Sequence, residues 1–60
     1  MYEWLVVLTA IDSRGQLEER EVQLEAGDIV MAMINGRAQM DEISRDEDWV
    51  SCVFQTRRLN

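Results

Sequence analysis

Nine residues, Asp28-Ile29-Val30-Met31-Ala32-Met33-Ile34-Asn35-Gly36, constrain this chain more than any other stretch, because they fit two elements that lead to different folds. As a helix, the run has Asp28 for an N-cap, whose carboxylate accepts from free backbone N–H groups, and Gly36 for a left-handed residue past the last turn. At about 100° per residue, Ile29, Met33, Gly36, Met40 and Ile43 share a narrow sector that Val30 and Ile34 widen. The pattern predicts a helix over 28–35, resuming to 43. As a hairpin, Ile29 to Ile34 is a strand and Asn35-Gly36 a type I′ turn, which sets Met33 opposite Ala38 and Met31 opposite Met40. Residues 31–42 are rich in Met, Ala, Gln, Glu and Arg, helix formers with few β-branched residues among them. Propensity therefore favours the helix.

Around this stretch the chain reads as strands. Residues 2–12 place Tyr2, Trp4, Val6, Leu8 and Ala10 on one face and Leu5, Val7 and Ile11 on the other. A strand apolar on both faces is a central one that needs cover on both sides. One helix covers only one face, so the second is expected to meet another copy of the chain. Asp12-Ser13-Arg14-Gly15 supplies turn chemistry, with Asp and Ser for side-chain to backbone bonds and Gly for positive φ. Residues 17–25 then alternate, with Val22 and Leu24 inward and Glu19, Glu21, Gln23 and Glu25 outward. Successive outward residues stand about 6.6 Å apart, so the carboxylates form a row. Asp46-Glu47-Asp48 reads as a loop, because acids this dense repel one another. Residues 49–56 form the last strand, with Val50, Cys52 and Phe54 on one side and Trp49, Ser51 and Val53 on the other.

Sixty residues make a single domain, with the tail 57–60 expected to fray. A domain this small buries only about 60% of the surface its unfolded chain exposes, so self-association, as a homodimer, is a reasonable expectation. The elements assemble into a small α+β domain: an antiparallel sheet of three to four strands with one helix packed on a face, in the order ββαβ or ββαββ. The hairpin reading leads instead to a small all-β barrel. Cys52 is the only cysteine, so no disulfide closes within the chain and a cytoplasmic setting fits best. The most apolar segment, Trp4 to Ile11, is too short to span a bilayer and follows Glu3 with no basic region, so neither a signal peptide nor a membrane helix is expected.

The residue inventory removes most chemistry. Without His there is no imidazole base, no Ser-His or Cys-His pair and no His metal site, and one Cys builds no zinc or iron–sulfur centre. Gly15, Gly27 and Gly36 are scattered rather than clustered into a phosphate loop. The acids Asp41, Glu42, Asp46, Glu47 and Asp48 lack the alternating spacing and central Gly of a calcium loop. Cys52 sits in an apolar strand with no adjacent cation and reads as a small hydrophobe. No enzyme activity, cofactor or metal is expected.

Charge is what remains. Twelve acids face six Arg, with no Lys, for a net charge of −6, and two of those Arg are at positions 57 and 58. Such a body repels nucleic acid and anionic membranes and is drawn to basic surfaces. The acids gather in two patches, Glu18, Glu19, Glu21, Glu25 and Asp28 in one, Asp41, Glu42, Asp46, Glu47 and Asp48 in the other. These ten are the candidate partner-binding residues. In size, charge and lack of catalytic groups the chain resembles the small acidic inhibitors that bacteriophages encode against host nucleases, polymerases and CRISPR effector complexes. The resemblance implies a non-enzymatic protein that occupies a basic, nucleic-acid-binding surface of a partner and inhibits it. The other reading is a structural or accessory module that docks or self-associates through apolar strand faces, anchored by Tyr2, Trp4, Trp49 and Met side chains. Two local likenesses point to all-β folds. Ala26 to Val30 with Ile34 to Arg37 resembles the strand, tight turn and strand of PDZ domains. Glu21 to Val30, with Asp46 to Val50, resembles the diverging turn and Trp-bearing strand of Src-homology barrels, which implies a groove for proline-rich peptides.

Overall fold

In the computed structural model, which describes residues 1–60, the order is β1 (Tyr2–Asp12), β2 (Leu17–Ala26), α1 (Ile29–Glu47) and β3 (Trp49–Arg58). The strands form one antiparallel sheet in the order β2-β1-β3, with α1 packed across one side of it. This is the small α+β fold that the apolar pattern predicts, in the ββαβ rather than the ββαββ order. The central stretch is helical, so neither the PDZ-like nor the Src-homology-like strand and turn exists here.

The most apolar strand takes the central place because both its edges then find backbone partners and its side chains find cover. Trp4, Val6, Leu8 and Ala10 form the buried row, with Val6 and Leu8 at zero exposure. Burying a Val or Leu side chain stabilises by roughly 1.5–3 kcal/mol, so this row is the main apolar contribution. Val22 and Leu24 from β2, Cys52 and Phe54 from β3, and Met40 and Ile43 from α1 pack against it. At the other end Trp4 meets Ala26 and Ala32, and its indole N–H donates to the Ala26 carbonyl at 3.1 Å.

The helix predicted over 28–35 and resuming to 43 is one continuous element that reaches Glu47 and passes through Asn35-Gly36 without a break. Asp28 caps it as expected, its Oδ1 accepting from the Met31 N–H at 2.9 Å. Of the predicted inner sector, Gly36, Met40 and Ile43 face the sheet, whereas Ile29 and Met33 give way to Ala32. Ala32 and Gly36 are the buried residues of the helix, and Met40 and Ile43 follow on the same stripe. Small residues win there because the helix lies close to the sheet: a Cβ on Gly36 would come within 3.1 Å of Val6 Cγ2 and 3.7 Å of Phe54 Cε2. Ile29, Val30, Met33 and Ile34, larger than that gap allows, stay 45–61% exposed.

Three further differences lie around the helix end and the chain terminus. Asp46 and Glu47 belong to α1 rather than to a loop, and Asp48 ends it in the left-handed conformation, at φ 57°, with its N–H returning to the Ser44 carbonyl. A bulge at Val50 makes Trp49 and Val50 share one position opposite Asp12. Strict alternation would set Trp49 beside Ser51 and Val53; the bulge turns it into the core with Val6, Leu8 and Ala10. Arg57 and Arg58 extend β3 where fraying is expected, and the Leu59 N–H donates to the Glu3 carbonyl at 2.8 Å.

Candidate functional site

The side of the sheet away from α1 has no cover. On β1 it presents Glu3, Leu5, Val7, Thr9 and Ile11, whose cross-strand neighbours on β2 are Glu25, Gln23, Glu21, Glu19 and Leu17. On β3 the neighbours of Leu5, Val7, Thr9 and Ile11 are Arg57, Gln55, Val53 and Ser51. An apolar stripe therefore runs down the middle, bordered by acids on one side and, on the other, by the uncharged Ser51, Val53 and Gln55 with Arg57 at one end. Leu5 and Val7 are half-buried by their neighbours alone, and Ile11 is 43% exposed.

No cation pairs with the carboxylates of this face, on which Arg57 is the one basic residue. The chain's ion pairs are Arg14 with Asp12 at 3.2 Å and Arg20 with Glu47 at 3.4 Å, and neither involves the face. Glu3 stands directly opposite Glu25, and like charges in that position oppose folding. The row is thus a set of unpaired negative charges held at strand spacing beside exposed aliphatic surface.

Of the ten acids singled out by sequence, three stand in this row: Glu19, Glu21 and Glu25. Glu18 does not join them. It is in register with Ala10 on the helix side, where its Oε2 accepts from the Trp49 indole N–H at 3.0 Å. Asp28 is the helix N-cap. Glu47 pairs with Arg20, whose guanidinium carbon lies 5.7 Å from the centre of the Trp49 ring. Asp48 accepts from the Ser13 hydroxyl, and its carbonyl takes the Ser13 N–H at 3.2 Å. Asp41, Glu42 and Asp46 are exposed on α1. The two sequence patches accordingly divide into residues that hold the fold and residues that face solvent.

Two residues outside those patches complete the picture. Glu3 joins the acidic row through register with Glu25, a pairing that only the hairpin alignment reveals. Asp12 is buried at 3% exposure, and its Oδ1 accepts from the Gln16 and Arg14 N–H groups, each at 2.9 Å. The bond from the Gln16 N–H, with those from Arg14, holds the Asp12 carboxyl below the usual carboxylate range against the opposing effect of burial. Asp12 thus organises the turn rather than a site. Burial pushes the Cys52 thiol up, which lowers its reactivity near neutral pH.

No group of three or more Asp, Glu or Cys side chains converges as a metal-binding set. No helix is long and apolar enough to cross a membrane. No protein-family model, curated protein or solved structure matches this chain.

Proposed function

We propose that this chain is a non-enzymatic binding protein whose open sheet face occupies a basic, nucleic-acid-binding surface of a partner protein and so inhibits it. The observation that carries the reading is the unpaired row Glu19, Glu21 and Glu25, with Glu3 beside it, along the apolar stripe Leu5, Val7 and Ile11. Arg and Lys side chains that contact phosphates in such a partner have aliphatic stems as well as charged heads. A face with both carboxylates and exposed aliphatic groups receives both parts. The carboxylates steer the encounter and set its salt dependence; the stripe supplies area that excludes water. In a cell that contains such a partner, the complex forms in place of the partner's nucleic-acid complex, as in the phage inhibitors, anti-CRISPR proteins among them, whose profile this chain resembles.

The test is the charge-reversed variant Glu19→Lys/Glu21→Lys/Glu25→Lys. It is expected to fold, since these side chains make no contact that holds the sheet, and to lose binding to the partner. Binding by the wild type is expected to weaken steadily with added salt. Undiminished binding by the variant would refute the assignment of this face.

A further inference from the structure

The two edges of the sheet differ in charge. β2 carries Glu18, Glu19, Glu21 and Glu25 along its length, so a second β2 beside it would meet like charge at close range. β3 has no charged residue from Trp49 to Thr56, and Val50 and Val53 on it are 68% and 66% exposed. The order β2-β1-β3 leaves the outer edge of β3 without a backbone partner. Beside that edge Ile29, Met33, Ile34 and Phe54 line a groove, with Arg37 and Arg57 also on its walls. An uncharged open edge next to an apolar groove invites strand addition.

We propose that the occupant is a second copy of this chain, joined by antiparallel pairing of β3 with β3 about a two-fold axis at Val53. Charge selects this arrangement. With Trp49 and Val50 counted as one position at the bulge, pairing about Val53 sets them opposite the second copy's Thr56 and Asp48 opposite its Arg57. The acidic helix end of each chain, Asp46-Glu47-Asp48, thereby meets the basic strand end of the other. Parallel pairing would instead bring Arg57 and Arg58 against their own copies. On the helix side Cys52 comes opposite Phe54, extending the core across the axis and closing the groove over Met33 and Ile34. The product is a six-stranded sheet with both helices on one side and an acidic β2 at each end, beyond which the same charge stops further addition. Size supports it, since one chain alone buries nine of its sixty residues. The interface is isologous, the usual form for a dimer, and it leaves the face of β1 and β2 free. It stands or falls independently of what that face binds.

Sedimentation equilibrium of the full chain tests the pairing. A particle of twice the chain mass of 7.0 kDa is expected at micromolar concentration. Val53→Lys sets two ammonium groups opposite each other on the axis and is expected to raise the dissociation constant about tenfold or more. Directly opposed residues in an antiparallel pair have Cα atoms about 4.5–5.5 Å apart, within disulfide range. Cys52→Ala/Val53→Cys is therefore expected to form a disulfide-linked dimer in oxidised glutathione, which keeps the test decisive if the Lys variant does not fold. A monomer at every concentration overturns the proposal. So does a dimer that the Cys variant does not cross-link.

Discussion

Gly36 decides how close the helix comes to the sheet. A Cβ there would stand 3.1 Å and 3.4 Å from the two methyl groups of Val6, which is itself fully buried and has nowhere to move. Gly36→Leu is expected to destabilise by about 1–3 kcal/mol in urea unfolding, the range for overpacking. Gly27, with nothing within 4 Å of its Cβ position, is the matched control, and Gly27→Leu should be tolerated. Equal stability of both variants would show that the helix does not sit on Val6. Asp12 gives a pH-dependent counterpart. Its folded pKa lies below the ordinary value, chiefly through the Gln16 N–H, so the stability it adds is present above the unfolded pKa and disappears as pH falls through the folded one. In Asp12→Asn an acceptor remains but the titrating charge does not. Unfolding free energy of that variant should therefore fall less steeply in acid than that of the wild type, and superimposable acid slopes would refute the role given to Asp12.

At the scale of elements, the capping acid Asp28 and the alternations of β1 and β2 are legible in sequence because they depend on neighbours within a few residues. The helix face is legible only in part. Counting apolar residues places Gly36, Met40 and Ile43 inward, as they are, but adds Ile29 and Met33, whereas close packing favours Ala32 at that end, and only the distance between layers decides. Trp49 shows a second limit: a one-residue bulge reverses its face, and nothing in Trp49-Val50-Ser51 announces it. The acids at the helix end show a third. Their density suggests a solvated loop, yet Glu47 and Asp48 have specific partners in Arg20 and Ser13. Asp46→Lys/Glu47→Lys/Asp48→Lys is accordingly expected to lower the thermal midpoint by about 5 °C or more, a loss of about 1 kcal/mol in a domain this small. Glu19→Lys/Glu21→Lys/Glu25→Lys should leave it near the wild-type value when compared at equal protein concentration. The reverse ranking would contradict the division between structural and solvent-facing acids.

On the scale of the whole molecule, net charge alone would make any acidic patch as good as another, and sequence could not separate the two. The fold separates them by register. It gathers Glu3, Glu19, Glu21 and Glu25 on one open face with an aliphatic stripe, while Glu47 and Asp48 of the second patch hold the helix end and Asp41, Glu42 and Asp46 stand apart on α1. A binding surface defined this way predicts that position matters beyond total charge. The direct measurement is affinity capture of a nucleic-acid-binding protein, followed by salt elution, using two variants with the same change in net charge. One is Glu19→Lys/Glu21→Lys/Glu25→Lys on the sheet; the other is Asp41→Lys/Glu42→Lys/Asp46→Lys on the exposed side of α1. Loss of the captured protein with the sheet variant and its retention, at a moderately lower eluting salt, with the helix variant is the predicted result. Equal loss with both would mean that bulk charge rather than the open face makes the contact, and undiminished capture with the sheet variant would contradict the account outright.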